Sequence, residues 1–600
     1  MKRASAWLLA GLLAGRLAAL LASPGPALGH EHAIAMHGEP RLGPDYAHFA
    51  HVDPAAPRGG RLVLSRLGGF DSLNPYIVRG RPVAGLGLTQ MSLLARSADE
   101  PFTLYTLLAD SVVVAEDRGW VAFRLRRGAR FHDGREVTLD DVEFSLRLLA
   151  RRGRPNHRRY YREVAEVQRP GPRTIRLVFR SAENWELALI MGLMPVLSRT
   201  DLEDRDFDRV SLRPLQGLGP YEIGEVEAGR GVEYHRISGH WSEGLPARRG
   251  RYNFDTVAYE YFRDEDGRRQ AFLAGRTDLR WEGDPRAWAI AYRSAEARGM
   301  RRLELRHGRP AGMWALAFNA RRPPLDDAAL RRALGEAFDF PWINRTYFDG
   351  AHRRTDSYFA NSELAASGPP SAGERALLEP HVAALSPALF AGAYRPPGRR
   401  EGEDGRVALR RADQALREAG WVVRDLKRVR ARDSQPLALE ILLSRRSEER
   451  LALAYAARLE RLGVTVAVRT ADSAEYQERI VRFDYDAILY RWGQSLSPGT
   501  EQAFYWGAEA ADQSGSRNYP GVRDPVVDAL IGRITGARSR AELLDATRAL
   551  DRGLLWGEHV LPLYYSPVDR IAHWPRFGRP PRPPLYGASP VATWWASEGG

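Results

Sequence analysis

Between Leu437 and Val468 the sequence changes its periodicity three times. Leu437 to Leu443 is an apolar run, Glu448 to Leu462 carries helical spacing, Gly463 stands where a C-cap glycine belongs, and Val464, Val466 and Val468 recur at every second position. A strand, a helix and a second strand joined by connections this short form an α/β unit. Such a unit buries its helix against a sheet, so it constrains the fold more than any other stretch of the chain.

Other segments fit that class. Arg61 to Ser65 is strand-like and ends in the turn formers Asp71-Ser72-Leu73-Asn74-Pro75. Val121, Phe123 and Leu125 alternate with Ala122, Arg124 and Arg126, and Ile175, Leu177 and Phe179 repeat the pattern, so both are expected to be half-buried strands. Thr138 with Asp141 three residues on is a capping-box start, followed by Val142, Leu146 and Leu149 on one helical face. A further helix is expected from Asp326-Asp327, with Leu330, Leu334 and Phe338 as its buried stripe. Residues 365–405 are rich in Pro, Gly and Ala and are expected to form an irregular surface excursion outside the core. No internal repeat is visible.

A chain of 600 residues exceeds what one hydrophobic core serves and implies two or three domains. The net charge of +13 comes almost wholly from arginine, the only lysines being Lys2 and Lys427. These arginines are interleaved with Asp and Glu, which describes a solvated surface rather than a nucleic-acid-binding face. The absence of cysteine excludes disulfides, thiolate metal sites, thiol nucleophiles and a lipid anchor on cysteine. Lys2 and Arg3, the apolar stretch Trp7 to Ala22 interrupted by Arg16, and Ala27-Leu28-Gly29 read as an export signal over residues 1–29. No later segment is apolar enough to span a bilayer.

Several chemistries lack their signatures. A phosphate-binding loop needs Gly-Lys followed by Ser or Thr, but both lysines precede arginine and neither follows glycine. His-Glu-x-x-His and Gly-x-Ser-x-Gly are absent too, so nothing argues for an enzyme or a resident cofactor. His30, His32, His37, His48 and His51 lie close together in sequence, but no carboxylate or cysteine framework completes a metal shell, and they read as incidental.

A long pattern then becomes recognisable: Phe123, Leu125-Arg126, Gly128, Phe131-His132-Asp133-Gly134, Val137-Thr138, Asp141-Val142 and Phe144-Ser145. It resembles the signature of the family 5 extracellular solute-binding proteins, the peptide and nickel receptors of ABC importers. Matching pieces follow in order: Gly59-Gly60, Ser72-Leu73-Asn74-Pro75, Gly217 with Gly219-Pro220-Tyr221, Phe318-Asn319, Arg331-Arg332-Ala333-Leu334, Ala419-Gly420-Trp421 and Leu561-Pro562-Leu563-Tyr564-Tyr565. Within the family the chain is similar to the YejA-like oligopeptide-binding branch. That likeness rests on His37-Gly38-Glu39-Pro40, Gln494 to Gln502, Gly515-Ser516-Arg517-Asn518-Tyr519, Leu550-Asp551-Arg552 and Thr593-Trp594-Trp595, with Thr500 standing where Asn is expected.

The resemblance implies a two-lobe α/β fold of the periplasmic-binding-protein kind, with an additional subdomain and a hinge. The expected first lobe is discontinuous, over 31–80, 208–306 and 559–600, with the inserted subdomain at 81–207 and the second lobe at 307–558. It further implies a soluble, monomeric periplasmic receptor that captures oligopeptides between its lobes and delivers them to inner-membrane ABC permease subunits. The alternatives are a receptor for a nickel chelate or an oligosaccharide, or a secreted hydrolase. The stretch from Trp492 to Glu501 follows a strand-like segment and is rich in small polar groups, a common setting for binding. Tyr490, Trp492, Gln494, Ser495, Ser497 and Glu501 are therefore expected to be ligand residues, with Asn319, Tyr221 and Asn74 from other motifs. Better-known oligopeptide receptors of this family hold the peptide amine with an aspartate three residues after a tryptophan. Ser495 occupies that place here, so the amine is expected to meet another carboxylate, Glu501 being the nearest candidate with Asp484 and Asp486 in the preceding strand, or else ligands are recognised by side chains or carry a blocked N-terminus.

Overall fold

The structure is a computed structural model that describes residues 31–597 except 204; the export signal expected at 1–29 lies outside the described residues. Where local chemistry is strong, the elements follow it. Thr138 caps the helix Leu139–Arg152: its hydroxyl accepts from Asp141 N while Asp141 Oδ2 accepts from Thr138 N at 3.0 Å. Both orphan donors of that helix start are thereby satisfied reciprocally. Replacing Thr138 by alanine is expected to lower stability by about 1 kcal/mol. Urea unfolding of the mature chain checks this, and an unchanged midpoint would remove the cap from the account.

The α/β unit also folds as its periodicity dictates. Strands Ala438–Leu443 and Thr465–Thr470 pair in parallel around the helix Arg446–Glu460, and Gly463 turns the chain between them with φ +83°. They belong to a five-stranded sheet ordered Thr465–Thr470, Ala438–Leu443, Ala487–Trp492, Met313–Phe318, Val560–Pro562. A second, seven-stranded sheet runs Arg301–Arg306, Val568–His573, Leu279–Trp281, Arg61–Leu67, Thr256–Phe262, Gly231–Arg236, Tyr221–Glu227. These sheets are the centres of two lobes. A four-stranded antiparallel sheet that includes Trp120–Leu125 and Thr174–Phe179, paired Val121 to Leu177 and Phe123 to Ile175, forms the additional subdomain with the helix Leu139–Arg152. The chain passes between the two large sheets twice, from Arg306 to Met313 and from Pro562 to Val568.

Two family motifs prove to be packing devices for each other. Gly134 turns the chain after His132 with φ +84°, and His132 Nε2 bonds the Gly219 carbonyl at 2.8 Å while its ring occupies the space a side chain on Gly217 would need. A side chain on Gly219 would strike the backbone of Leu88 and Thr89. Both glycines are therefore required by close approach.

The structure corrects the expectation for 365–405. The helix Ala372–Leu378 lies inside it, and Leu378 and Leu389 are fully buried in the second-lobe core. Long-range contacts to the helix Arg540–Trp556 hold this segment, and no local periodicity reports them. The strand Val560–Pro562, which the family resemblance placed in the first lobe, pairs instead with Met313–Phe318 in the second-lobe sheet. Among the described residues no helix is long and apolar enough to cross a membrane.

Candidate ligand-binding site

Where the two crossovers run side by side, a cavity of about 1210 Å³ opens. Its floor is formed by two adjacent interior strands of the five-stranded sheet, Trp314 on one and Leu489, Tyr490 and Arg491 on the next. The crossovers add Arg309, Pro310 and Ala311 from one and Tyr565, Ser566 and Val568 from the other. Gly283 follows the first-lobe strand Leu279–Trp281 and completes the opposite side. The walls come from Arg445 and Glu448 at the start of the helix Arg446–Glu460, from Tyr476, and from Arg517 and Tyr519. The volume exceeds the ~300–1,000 Å³ usual for small-molecule sites.

The wall is held from behind. Trp492 is buried; its Nε1 donates to the Arg517 carbonyl at 3.0 Å, and its ring meets Tyr490 edge-on at 4.9 Å and Trp506 at 4.8 Å. Tyr490 in turn packs edge-on against Tyr519 at 4.5 Å. Trp492, expected to touch ligand, thus supports two residues that line the cavity. On the crossover, Gly312 has φ +71° and lies against the Trp492 carbonyl so closely that a Cβ would overlap it. That contact sets Ala311, whose carbonyl accepts from Arg491 Nη2 at 2.8 Å.

Charge is distributed unevenly. Arg309 donates to Asp569 at 3.0 Å, whereas Arg445, Arg491 and Arg517 form no ion pair among the described residues. Burial, then the neighbouring Arg309 charge, lowers the Arg491 pKa. Burial raises that of Glu448, although Ser444 N and Oγ both donate to its carboxylate.

Of the other expected ligand residues, Tyr490 alone lines this cavity. Tyr221 is fully buried in the first-lobe core, its hydroxyl donating to the Phe254 carbonyl at 2.7 Å. Asn74 closes a turn, accepting from Tyr76 N and donating to the Phe207 carbonyl. Asn319 donates to the carbonyls of Phe483 and Tyr485 and accepts from Arg321. Each of these three side chains spends its polar atoms on the protein's own backbone or side chains, away from the cavity.

The stretch after Trp492 lies at a contact between the subdomain and the second lobe. Gln494 and Gln502 bond each other through their amides, and Ser495 Oγ accepts from Ser497 N. Ser497 lines a smaller cavity of about 300 Å³ with His37, Glu39, Glu363 and Arg540. Glu501 accepts from Gly499 N at 3.0 Å and from Gln502, while the Glu186 carboxylate packs on Gly499 from the subdomain side. Burial and the Glu501 charge push the Glu186 carboxyl up to about 7. Beside them Trp185 is stacked between Arg118 and Arg538, at 4.6 and 4.4 Å. Glu501 thus lies at the contact with the subdomain and is not among the residues of the main cavity. His51, one of the early histidines, pairs with Asp99 at 2.9 Å.

Sequence reasoning missed Arg309, Trp314, Arg445, Tyr476 and Arg491. Arg517, Tyr519 and Tyr564 lay inside recognised motifs, but nothing local distinguished them from packing residues.

Two sheet-centred lobes, a double crossover and a cavity at that crossover define a solute-binding receptor. The chain belongs to the bacterial extracellular solute-binding proteins, family 5, whose middle region matches residues 103–514. This is a family of receptors that serve ABC importers rather than of enzymes. The chain is 36% identical to YejA of Escherichia coli over 572 residues, covering 95% of this chain and 94% of that one. It is also 36% identical over 584 residues to YepA of Agrobacterium fabrum, named a peptidoglycan-binding protein, with 94% of each chain covered. Among solved structures it is similar to the oligopeptide-binding protein AppA of Bacillus subtilis in complex with a nonapeptide. There the TM-score is 0.63 at 17% identity, covering 90% of this chain and 100% of that one. It is similar also to NikA of Brucella suis in complex with Fe(III)-EDTA, with a TM-score of 0.67 at 20% identity, covering 87% and 96%.

Proposed function

We propose that this protein is exported to the periplasm, captures oligopeptides in the crossover cavity and delivers them to an inner-membrane ABC permease. The observation that carries this is the cavity itself. At about 1210 Å³ it holds several residues with water, and the aromatic side chains Trp314, Tyr476, Tyr490, Tyr519, Tyr564 and Tyr565 line it. A receptor for many sequences has to hold the shared peptide backbone and leave side chains in roomy, wet pockets. The relatives whose names or structures mention peptides or peptidoglycan support the same reading. Among the alternatives, a metal chelate draws support from NikA, and the arginines of the cavity suit its carboxylates equally well.

The proposed first lobe is built on the seven-stranded sheet, the subdomain on residues 81–207, and the second lobe on the five-stranded sheet extended to Pro562. The two crossovers act as the hinge. Peptide at a hundredfold excess over Kd is expected to stabilise the chain by about 2.7 kcal/mol, read as a raised Tm. It is also expected to reduce the radius of gyration in solution scattering. An unshifted Tm with a panel of peptides, alongside a shift with Fe(III)-EDTA, would replace this reading by the chelate one.

A further inference from the structure

Most arginines of this chain near carboxylates are spoken for: Arg552 binds Glu374, Arg411 binds Glu336 and Arg399 binds Asp339. The cavity wall differs. Arg445, Arg491 and Arg517 are open to it, and none has a carboxylate within ion-pair distance among the described residues. Glu448 is the one acidic side chain among the lining residues. Three free guanidiniums facing one carboxylate leave the empty cavity positive, beyond what a single C-terminal carboxylate neutralises.

Two of the three are held in place without being neutralised. Arg491 spends one N–H on the Ala311 carbonyl, and Arg517 lies over the Tyr505 ring at 5.9 Å with its backbone fixed by Trp492. An anchored guanidinium with unused N–H groups is suited to grip a carboxylate through two parallel hydrogen bonds. Burial, and after it the nearness of Arg309, disfavours the charged form of Arg491, and an incoming anion offsets both.

We propose that the cavity selects acidic peptides, those carrying a carboxylate besides the C-terminal one, and that Arg491 and Arg517 are the specificity-determining residues. The proposal rests on the peptide-receptor reading above. Peptides with lysine are disfavoured at the same place, because like charge and lost hydration are not compensated there.

The test is titration calorimetry on the mature chain with Ala-Ala-Glu-Ala-Ala and its Gln and Lys counterparts, repeated on Arg491→Gln and Arg517→Gln. Neither arginine makes an ion pair, so both variants are expected to fold, with thermal melts as the control. The expected result is about tenfold or more tighter binding of the Glu peptide than of the Gln peptide, the Lys peptide weakest. That preference should fall towards parity in at least one variant. Equal affinity for Glu and Gln peptides, or a preference unchanged in both variants, overturns the selectivity and leaves the peptide reading standing. If none of the three peptides binds, the peptide reading falls and this inference with it.

Discussion

Arg552→Ala is expected to lower the free energy of unfolding by about 3–5 kcal/mol, the range for removing one partner of a buried ion pair. Arg552 is 1% exposed in the C-terminal part of the helix Arg540–Trp556, and its Nε donates to Glu374, 3% exposed, at 2.6 Å. Its other nitrogens donate to the carbonyls of Gly368 and Ser367 at 2.9 and 3.1 Å. Alanine would leave the buried Glu374 carboxylate without its charged partner and two carbonyls without their donor. Its neighbour Asp551 works in the same way, accepting from Ser357 Oγ, Tyr358 N and Ala366 N. Together the two side chains fasten residues 357–374 to one helix. The check is guanidinium unfolding with Arg552→Ala beside the double variant Arg552→Met/Glu374→Leu. The double variant should recover much of the loss, since a well-packed apolar pair of similar volume is often neutral at such a site. A single variant as stable as the wild type would show that the pair bears no load.

Gly312→Ala is expected to damage binding and stability together. Alanine at φ +71° is strained, and its Cβ would overlap the Trp492 carbonyl, which is backbone and has little freedom to yield. Strain and overpacking together are expected to cost about 2–4 kcal/mol. Relief requires the crossover to move away from the strand Ala487–Trp492, which pulls the Ala311 carbonyl from Arg491 and shifts Arg309 and Pro310 at the cavity. Peptide affinity is therefore expected to fall by tenfold or more. Gly493→Ala is the control, because a Cβ there meets nothing within 4 Å. Equal affinity in Gly312→Ala and wild type would dissociate the crossover from the site.

Much of the local structure was legible. The Thr138–Asp141 cap and the helix and strand periods of the unit at 437–469 depend on neighbours one to four residues apart, which appear in sequence as spacing, and its two strands pair across a single helix. The irregular look of 365–405 misled for the opposite reason. Its anchors, Asp551 and Arg552, lie more than 170 residues away along the chain.

The candidate site divides along the same line. Sequence alone determined the α/β class, the run of small polar residues after Trp492 and the aromatic character of the strand Ala487–Trp492. Only the tertiary structure decided that Tyr490 faces the cavity, that Trp492 supports it from behind, and that Glu501 joins Glu186 at a lobe contact. The cavity assembles Arg309, Arg491 and Val568 from segments far apart in sequence. Whether a tyrosine, tryptophan or arginine meets ligand or core depends on which distant strand packs against it. That is a property of the sheet order and the two crossovers, and no spacing within one segment encodes it.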